Sequence, residues 1–415
     1  MNKNGINKKW IFTLVLCIGL VVPSWAKQHN GSSENAHWVG TWASSPQLVD
    51  KSSEPPAPGL ANTTLRQIIH VSIGGQRLRV RFSNAFGTTP LTIVSAHIAL
   101  PDGTSKIKTD SDKPLTFHGQ QSVTIPSGAL MISDPLDFNL APLSDLTITI
   151  QLNEVPELVT THSGSRETSY IQSGAMVSAE DLPAAAHTDH WYFINGVDVQ
   201  APKDSAAIVA LGDSITDGHG ATTNGNDRWT DDLARRLQSD KHTRNISVLN
   251  QGIGGNRLLH DGLGPNALER IDRDVLAQTG ARWLIIFEGV NDIGTRARAE
   301  RRHEQPASAD EMIGAYEQII TRAHALGIRV YGATITPFGG SFYDNPDAQE
   351  VWTKVNQWIR TSGKFDAVID FARTAGDPGN PSHLLPADDS GDHLHPGSAG
   401  YKNISDSIDL KLFKK

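Results

Sequence analysis

Ser214 stands in Gly212-Asp213-Ser214-Ile215-Thr216-Asp217, directly after the apolar run Ala206 to Leu211. That run reads as a buried strand, and a tight turn at the carboxyl end of such a strand leaves a hydroxyl accessible at the sheet edge. A serine so placed is a nucleophile once a neutral imidazole takes its proton. Alone, Gly-Asp-Ser is also an ordinary turn, so the serine needs partners. Asn250-Gln251-Gly252-Ile253-Gly254-Gly255-Asn256 can expose backbone N–H groups to an anionic oxygen. Glu288-Gly289-Val290-Asn291-Asp292 offers the side-chain amide of Asn291, and Asp392-His393-Leu394-His395-Pro396 offers an imidazole beside a carboxylate. Asp392 sits three residues before His395, close enough for the carboxylate to accept the second ring N–H. A nucleophile, amide donors, a base and its carboxylate are the set that acyl transfer needs, and none of it requires a metal or cofactor. Asp388, Asp389, Asp392, His393 and His395 could instead gather round a metal ion. Oxygen-rich runs of this kind are more often solvated loops, so no metal is expected and His393 is read as an exposed neighbour of His395.

These groups share an edge only if the strands before them are parallel. Ala206–Leu211, Ile246–Leu249, Trp283–Phe287, Ile328–Ala333 and Ala367–Ile369 are strand-like runs. Helical patterns alternate with them: Trp229, Leu233, Leu237; Leu268, Ile271, Val275; Met312, Tyr316, Ile319, Ile320, Ala323 after a Ser308/Glu311 capping box; and Val351, Val355, Trp358. Such alternation predicts an α/β unit with right-handed crossovers, whose five strands bring their carboxyl ends to one rim. The unit should span 205–415, after a boundary near Gln200–Asp204. Residues 38–200 carry β signals instead: Arg77–Phe82 alternates strictly after Gly74-Gly75, and Thr92–Ala99, Ser122–Ile125 and Leu146–Leu152 lie between turn clusters. A mostly β, sandwich-like domain is expected there, with Trp38, Trp42 and Trp191 either in its core or exposed for glycan binding.

The four motifs, in this order, resemble those of the SGNH (GDSL) hydrolases, over about Ala206 to Phe413. The resemblance implies a flavodoxin-like, doubly wound, parallel five-stranded sheet. It makes Ser214 the nucleophile, His395 the base with Asp392 as its partner, and the Ser214 N–H, Gly255 and Asn291 the oxyanion hole, with Gly254 a one-residue alternative to Gly255. Thr216 replaces the second glycine of G-x-S-x-G, so the elbow of a different hydrolase fold is not expected. The β half looks like the module that precedes this domain in some secreted esterases.

The chain has 415 residues, 38% hydrophobic and 20% charged, enough for two domains with substantial cores. Lys3, Lys8 and Lys9 precede an apolar stretch from Trp10 to Val22 and a small-x-small site ending at Ala26, the layout of a signal peptide (1–26) before a flexible leader (27–37). A secreted or periplasmic protein follows, with no stable membrane insertion after cleavage. Cys17, the single cysteine, would leave with the signal peptide, and the net charge would go from -8 to -11. So acidic a protein is not expected to bind nucleic acid. Loops at 257–264, 294–306 and 337–346, the last with Phe338, Phe342 and Tyr343, should line the pocket. The basic run Arg296, Arg298, Arg301, Arg302 could steer an acidic polysaccharide. The expected partner is a small ester or acetylated glycan, hydrolysed as an O-acetyl ester of carbohydrate. A short-chain lipase, arylesterase or lysophospholipase is the second reading, and a non-catalytic glycan binder the third. Oligomeric state is left open.

Overall fold

Aliphatic residues fill Ala206–Gly212 on both faces, the composition of a strand covered on both sides. In the computed structural model, which describes residues 1, 37–295 and 306–414, that strand lies second in a parallel sheet. The order is Ile246–Gly252, Ala206–Gly212, Ala281–Phe287, Arg329–Ala333, Ala367–Ile369, and every neighbouring pair is parallel. Counted along the chain this is 2-1-3-4-5, the flavodoxin-like doubly wound order. The order reverses between the first and third strands, and their carboxyl ends open a crevice there.

Amphipathic helices at Trp229–Ser239, Ala309–Ala325 and Pro346–Thr361 bury the apolar stripes read from the sequence. Ser308 and Glu311 form the expected capping box, with the Glu311 N–H on Ser308 Oγ at 3.2 Å and the Ser308 N–H on the Glu311 carboxylate at 2.8 Å. The Leu268, Ile271, Val275 pattern becomes a short helix, Ala267–Ile271, that widens into a π turn over Asp272–Leu276. A last helix, Ser398–Asp406, has no counterpart in the sequence reading. It buries Gly400, Tyr401, Ile404 and Ser405, of which two are large and apolar, too few to make a period.

Residues 38–200 are antiparallel. One sheet runs Trp38–Ala43, Ile194–Gln200, Gly75–Ser83, Leu130–Ile132, and a larger one is centred on Thr63–His70, Asp145–Leu152 and Leu91–Ala99. Leu78, Val80 and Phe82 face the core as their alternation requires. The opposite, arginine-bearing face does not simply meet water. Arg81 is 4% exposed, donates to Gln278 Oε1 at 2.6 Å, and lies 3.8 Å from Asp198, which also accepts from Thr279 Oγ1 at 3.0 Å. At Arg81 the polar side of this strand is thus an internal contact with the α/β half, and His37–Lys415 form one compact unit. Trp42 and Trp191 are buried and packed edge to face at 4.9 Å, and Trp38 carries Arg79 over its ring, so Trp42 and Trp191 serve the core. The expected signal peptide, cleavage site and most of the leader, together with Arg296, Arg298, Arg301 and Arg302, lie outside the described residues. Among those described, no helix is long and apolar enough to cross a membrane.

One buried cation ties the strand ends together. Arg270 Nη2 donates to the Gly212 carbonyl at 3.0 Å, Nη1 to the Gln251 carbonyl at 2.7 Å and to Ser45 Oγ at 2.9 Å, and Nε to Asn256 Oδ1 at 3.0 Å. Asp274 at 3.3 Å balances its charge, and the Glu288 carboxyl lies 3.7 Å away. Removing one member of such a buried set strands the others, so Arg270→Met should lower the unfolding free energy by about 3–5 kcal/mol in urea titrations. A loss under about 1 kcal/mol would mean that the surrounding carbonyls and carboxylates do not depend on this guanidinium.

Candidate active site

The turn after Ala206–Gly212 is shaped by backbone crowding. A β-carbon on Gly212 would overlap the Thr216 side chain and the Phe287 carbonyl, so only glycine lets the strand end this close to its neighbour. Asp213 caps the one-turn helix Ser214–Asp217 by accepting the Ile215 N–H at 2.9 Å, and the helix stops at Gly218, in the left-handed region. Ser214 is therefore the first residue of a turn pinned at both ends.

Across the edge, the Ser390 N–H bonds the His395 carbonyl at 3.0 Å and the Gly397 N–H bonds Asp388 at 2.7 Å, closing 388–397 into a tight loop. It carries His395 to Ser214: Nε2 lies 2.8 Å from Oγ, and both residues are 8% exposed. The other ring nitrogen, Nδ1, is 2.6 Å from Asp392 Oδ2, while Asp392 Oδ1 accepts the backbone N–H groups of Leu394 and His395 at 3.0 and 2.8 Å. Burial works to raise the Asp392 pKa, but the His395 N–H, the His395 ring and the Leu394 N–H outweigh it and hold the group at about 2. A carboxylate on Nδ1 keeps the proton there and leaves Nε2 as the acceptor for Oγ–H. Burial lowers the His395 pKa, with the nearby Arg166 charge acting in the same sense and Asp392 opposing both.

The glycine loop presents two candidate donors differently. The Gly254 N–H is engaged by Asp217 Oδ2 at 3.0 Å. Gly255 adopts φ +72°, and among the described residues neither its N–H nor that of Ser214 has a protein acceptor. Asn291 is oriented from both ends of its amide: Tyr343 Oη donates to Oδ1 at 2.8 Å and Nδ2 donates to the Asn256 carbonyl at 2.8 Å, which leaves the second N–H of Nδ2.

His393 lies elsewhere, half exposed and bonded to Asp389 at 2.6 Å, and Asp388 is taken up by Asn403 at 2.7 Å. The larger acid and histidine cluster therefore does not gather. His219, Asp392 and His395 bring ligand-type atoms within 4.8 Å of one another, but both His395 nitrogens already have partners. Of the loop aromatics, Phe338 and Tyr343 are buried and Phe342 is exposed. The sequence reading passed over His219, whose ring stands 4.1 Å from that of His395, and the loop Ser163–Thr168 of the β half, which reaches the same edge. No period or motif marks either.

Residues 210–402 match the family model described as GDSL-like Lipase/Acylhydrolase. That region, a little under half of the chain, is a GDSL-like acylhydrolase domain. It is a carboxylic ester hydrolase by class. Comparison with the curated proteins gives no match. Among solved structures the acylhydrolase is similar to an acetylxylan esterase from Geobacillus stearothermophilus, at 20% identity over 50% of this chain and 95% of that one, with a TM-score of 0.39. It is also similar to a GDSL-like lipase from Bacteroides thetaiotaomicron VPI-5482, at 19% identity over 52% and 91%, with a TM-score of 0.37. At those identities and scores the likenesses decide nothing about substrate.

Three buried acids lie near the strand ends that carry Ser214 and Asn291. Burial pushes Asp213 and Asp292 up to about 7 and Glu288 well above its ordinary value, with mutual repulsion adding to the rise for Asp213 and Glu288. Asp292 accepts the Leu258 and Leu259 N–H groups at 2.8 and 3.3 Å, so it anchors the loop that follows Gly255. A carboxyl whose pKa rises on folding binds its proton more tightly in the native state, so its stabilising share is complete below the unfolded value of 3.8 and is lost as pH climbs through about 7. Asp292→Asn, which keeps an acceptor but cannot ionise, should flatten the fall in melting temperature between about pH 4 and 7. A profile as steep as the parent's would show that Asp292 already ionises like an exposed acid.

Proposed function

We propose that the acylhydrolase cleaves O-acetyl esters of carbohydrate by a Ser-His-Asp relay. The observation that carries the reading is the unbroken line from Ser214 Oγ through His395 to Asp392 at the sheet edge where Gly255 and Asn291 also end. His395 Nε2 takes the hydroxyl proton as Oγ attacks the carbonyl carbon, and Asp392 steadies the imidazolium that forms. The N–H groups of Ser214 and Gly255 and the remaining Asn291 N–H receive the oxyanion, each typically worth about 3 kcal/mol of barrier. Gly255 is preferred to Gly254 because the Gly254 N–H is already spent on Asp217. Collapse of the tetrahedral adduct passes the proton from His395 to the leaving sugar hydroxyl, and water then repeats the sequence to release acetate.

A sugar ester is favoured over a lipid by what surrounds Ser214. His219, Asp392 and Arg166 are polar neighbours that suit a hydroxylated leaving group better than an acyl tail. Export through the amino-terminal leader is the remaining part of the reading, and amino-terminal sequencing of protein secreted by its host should begin at Lys27.

Acetate release from acetylated xylo-oligosaccharides, set against fatty-acid release from micelles, is the deciding comparison. Ser214→Ala should lose about four or more orders of magnitude in kcat while staying folded. Release from micelles alone would make the protein a lipase, and retained turnover in Ser214→Ala would remove the relay. Because the folded His395 pKa lies below the ordinary 6.5, the base stays neutral to lower pH, and the acid limb of kcat/KM should have its midpoint below 6.5. A midpoint above that value would contradict His395 as the base.

A further inference from the structure

The β half does more than abut the hydrolase half; one of its loops is clamped to the nucleophile turn. Strand Thr160–His162 ends on His162, whose Nδ1 lies 2.9 Å from the Ser45 carbonyl and whose Nε2 lies 2.9 Å from Asp217 Oδ1. Asp217 closes the one-turn helix that begins at Ser214, and its second oxygen holds the Gly254 N–H. At the next-but-one residue the loop passes so close that a β-carbon on Gly164 would overlap the Asp217 carboxylate. The Ser165 carbonyl accepts from Arg228 Nη2, while Arg228 Nε donates to the Asp217 carbonyl at 3.0 Å.

Held on both flanks, the loop turns outward at Arg166. Its backbone sits at φ +52°, a conformation that costs a residue with a β-carbon on the order of 1 kcal/mol, and its carbonyl is fixed by the Asn224 N–H at 2.8 Å. The guanidinium then lies with Nη2 3.4 Å from His219 Nδ1, and His219 packs at 4.1 Å against the ring of His395. Among the described residues no carboxylate pairs with Arg166, and its Nε is buried without an acceptor. In a chain of net charge -8, an uncompensated guanidinium beside the imidazole that becomes positive during acyl transfer opposes the reaction unless an anion joins it. A planar guanidinium recognises a carboxylate in particular, through paired N–H donors.

We propose that Arg166 binds a carboxylate on the alcohol part of the ester, so that the preferred substrates are esters carried by acidic, uronate-type glycans. The carboxylate both anchors the sugar and removes the repulsion between Arg166 and the His395 imidazolium. This inference rests on the reading of Ser214 as the nucleophile, and binding in Ser214→Ala separates the two.

Calorimetry on Ser214→Ala should show trigalacturonate binding about ten-fold or more tighter than xylotriose at low salt. Adding Arg166→Gln should abolish the difference, and Arg166→Lys should keep part of it. In the active enzyme, Arg166→Gln should lower the ratio of kcat/KM on acetylated trigalacturonate to that on acetylated xylotriose by about ten-fold. Equal binding of the two sugars, or an equal loss of turnover on both in Arg166→Gln, overturns the proposal in favour of a structural role. A preference that follows succinyl over acetyl esters of one neutral alcohol, instead of the uronate, also overturns it by placing the carboxylate in the acyl group. Retained discrimination in binding by a protein that hydrolyses no ester would sustain Arg166 and sink the nucleophile.

Discussion

The site depends on a buried positive charge that takes no part in the chemistry. Arg270 holds the carbonyls at the ends of the first two parallel strands, Gly212 and Gln251, together with the side chain of Asn256 in the glycine loop. The Gly212 carbonyl also accepts the Ile253 N–H at 3.0 Å, so Arg270 adds a second donor there, and buried carbonyls of this kind are costly unless donors reach them. One planar guanidinium with five N–H groups meets several at once and fixes their spacing. The glycine loop and the Ser214 turn are thus set against each other by one side chain, and Ser45 of the β half joins the same group at 2.9 Å.

The second constraint is Asp217, which the β half grips through His162 and which in turn occupies Gly254. By taking up that N–H, Asp217 leaves its neighbour Gly255 as the donor without a protein partner. An antiparallel region that could have been a separate accessory module therefore shapes the acylhydrolase's edge. Arg81 pairs with Asp198 within the β half and donates to Gln278 of the α/β half, which explains why this residue, alternating like an exposed one, is buried.

Much of this was legible in the residues because local rules carried it. The strand Ala206–Gly212 is a continuous apolar run, and a buried strand needs no partner information to be recognised. The Ser308/Glu311 box closes within four residues, and Asp392 reaches His395 within four, so spacing alone brings them together. The helix Ser398–Asp406 escaped because its buried face is made mostly of small and polar residues. Trp42 and Trp191 could have been core or surface, and the edge-to-face packing between them at 4.9 Å is a contact between residues remote in the chain.

Residue order alone accounts for the strands that build the sheet, for the tight turn at Gly212–Asp217 and for the pairing of His395 with Asp392, since each follows from hydrophobic period or from neighbours a few bonds apart. Only the tertiary structure decided that Ser214 and His395 meet at 2.8 Å, that Gly254 is occupied and Gly255 is not, and that Arg166 and His219 stand beside His395. Those outcomes depend on which charges and donors long-range packing brings within a few ångströms. No periodicity records such distances, because a hydrogen bond across 181 residues leaves no trace in the order of the residues between its ends.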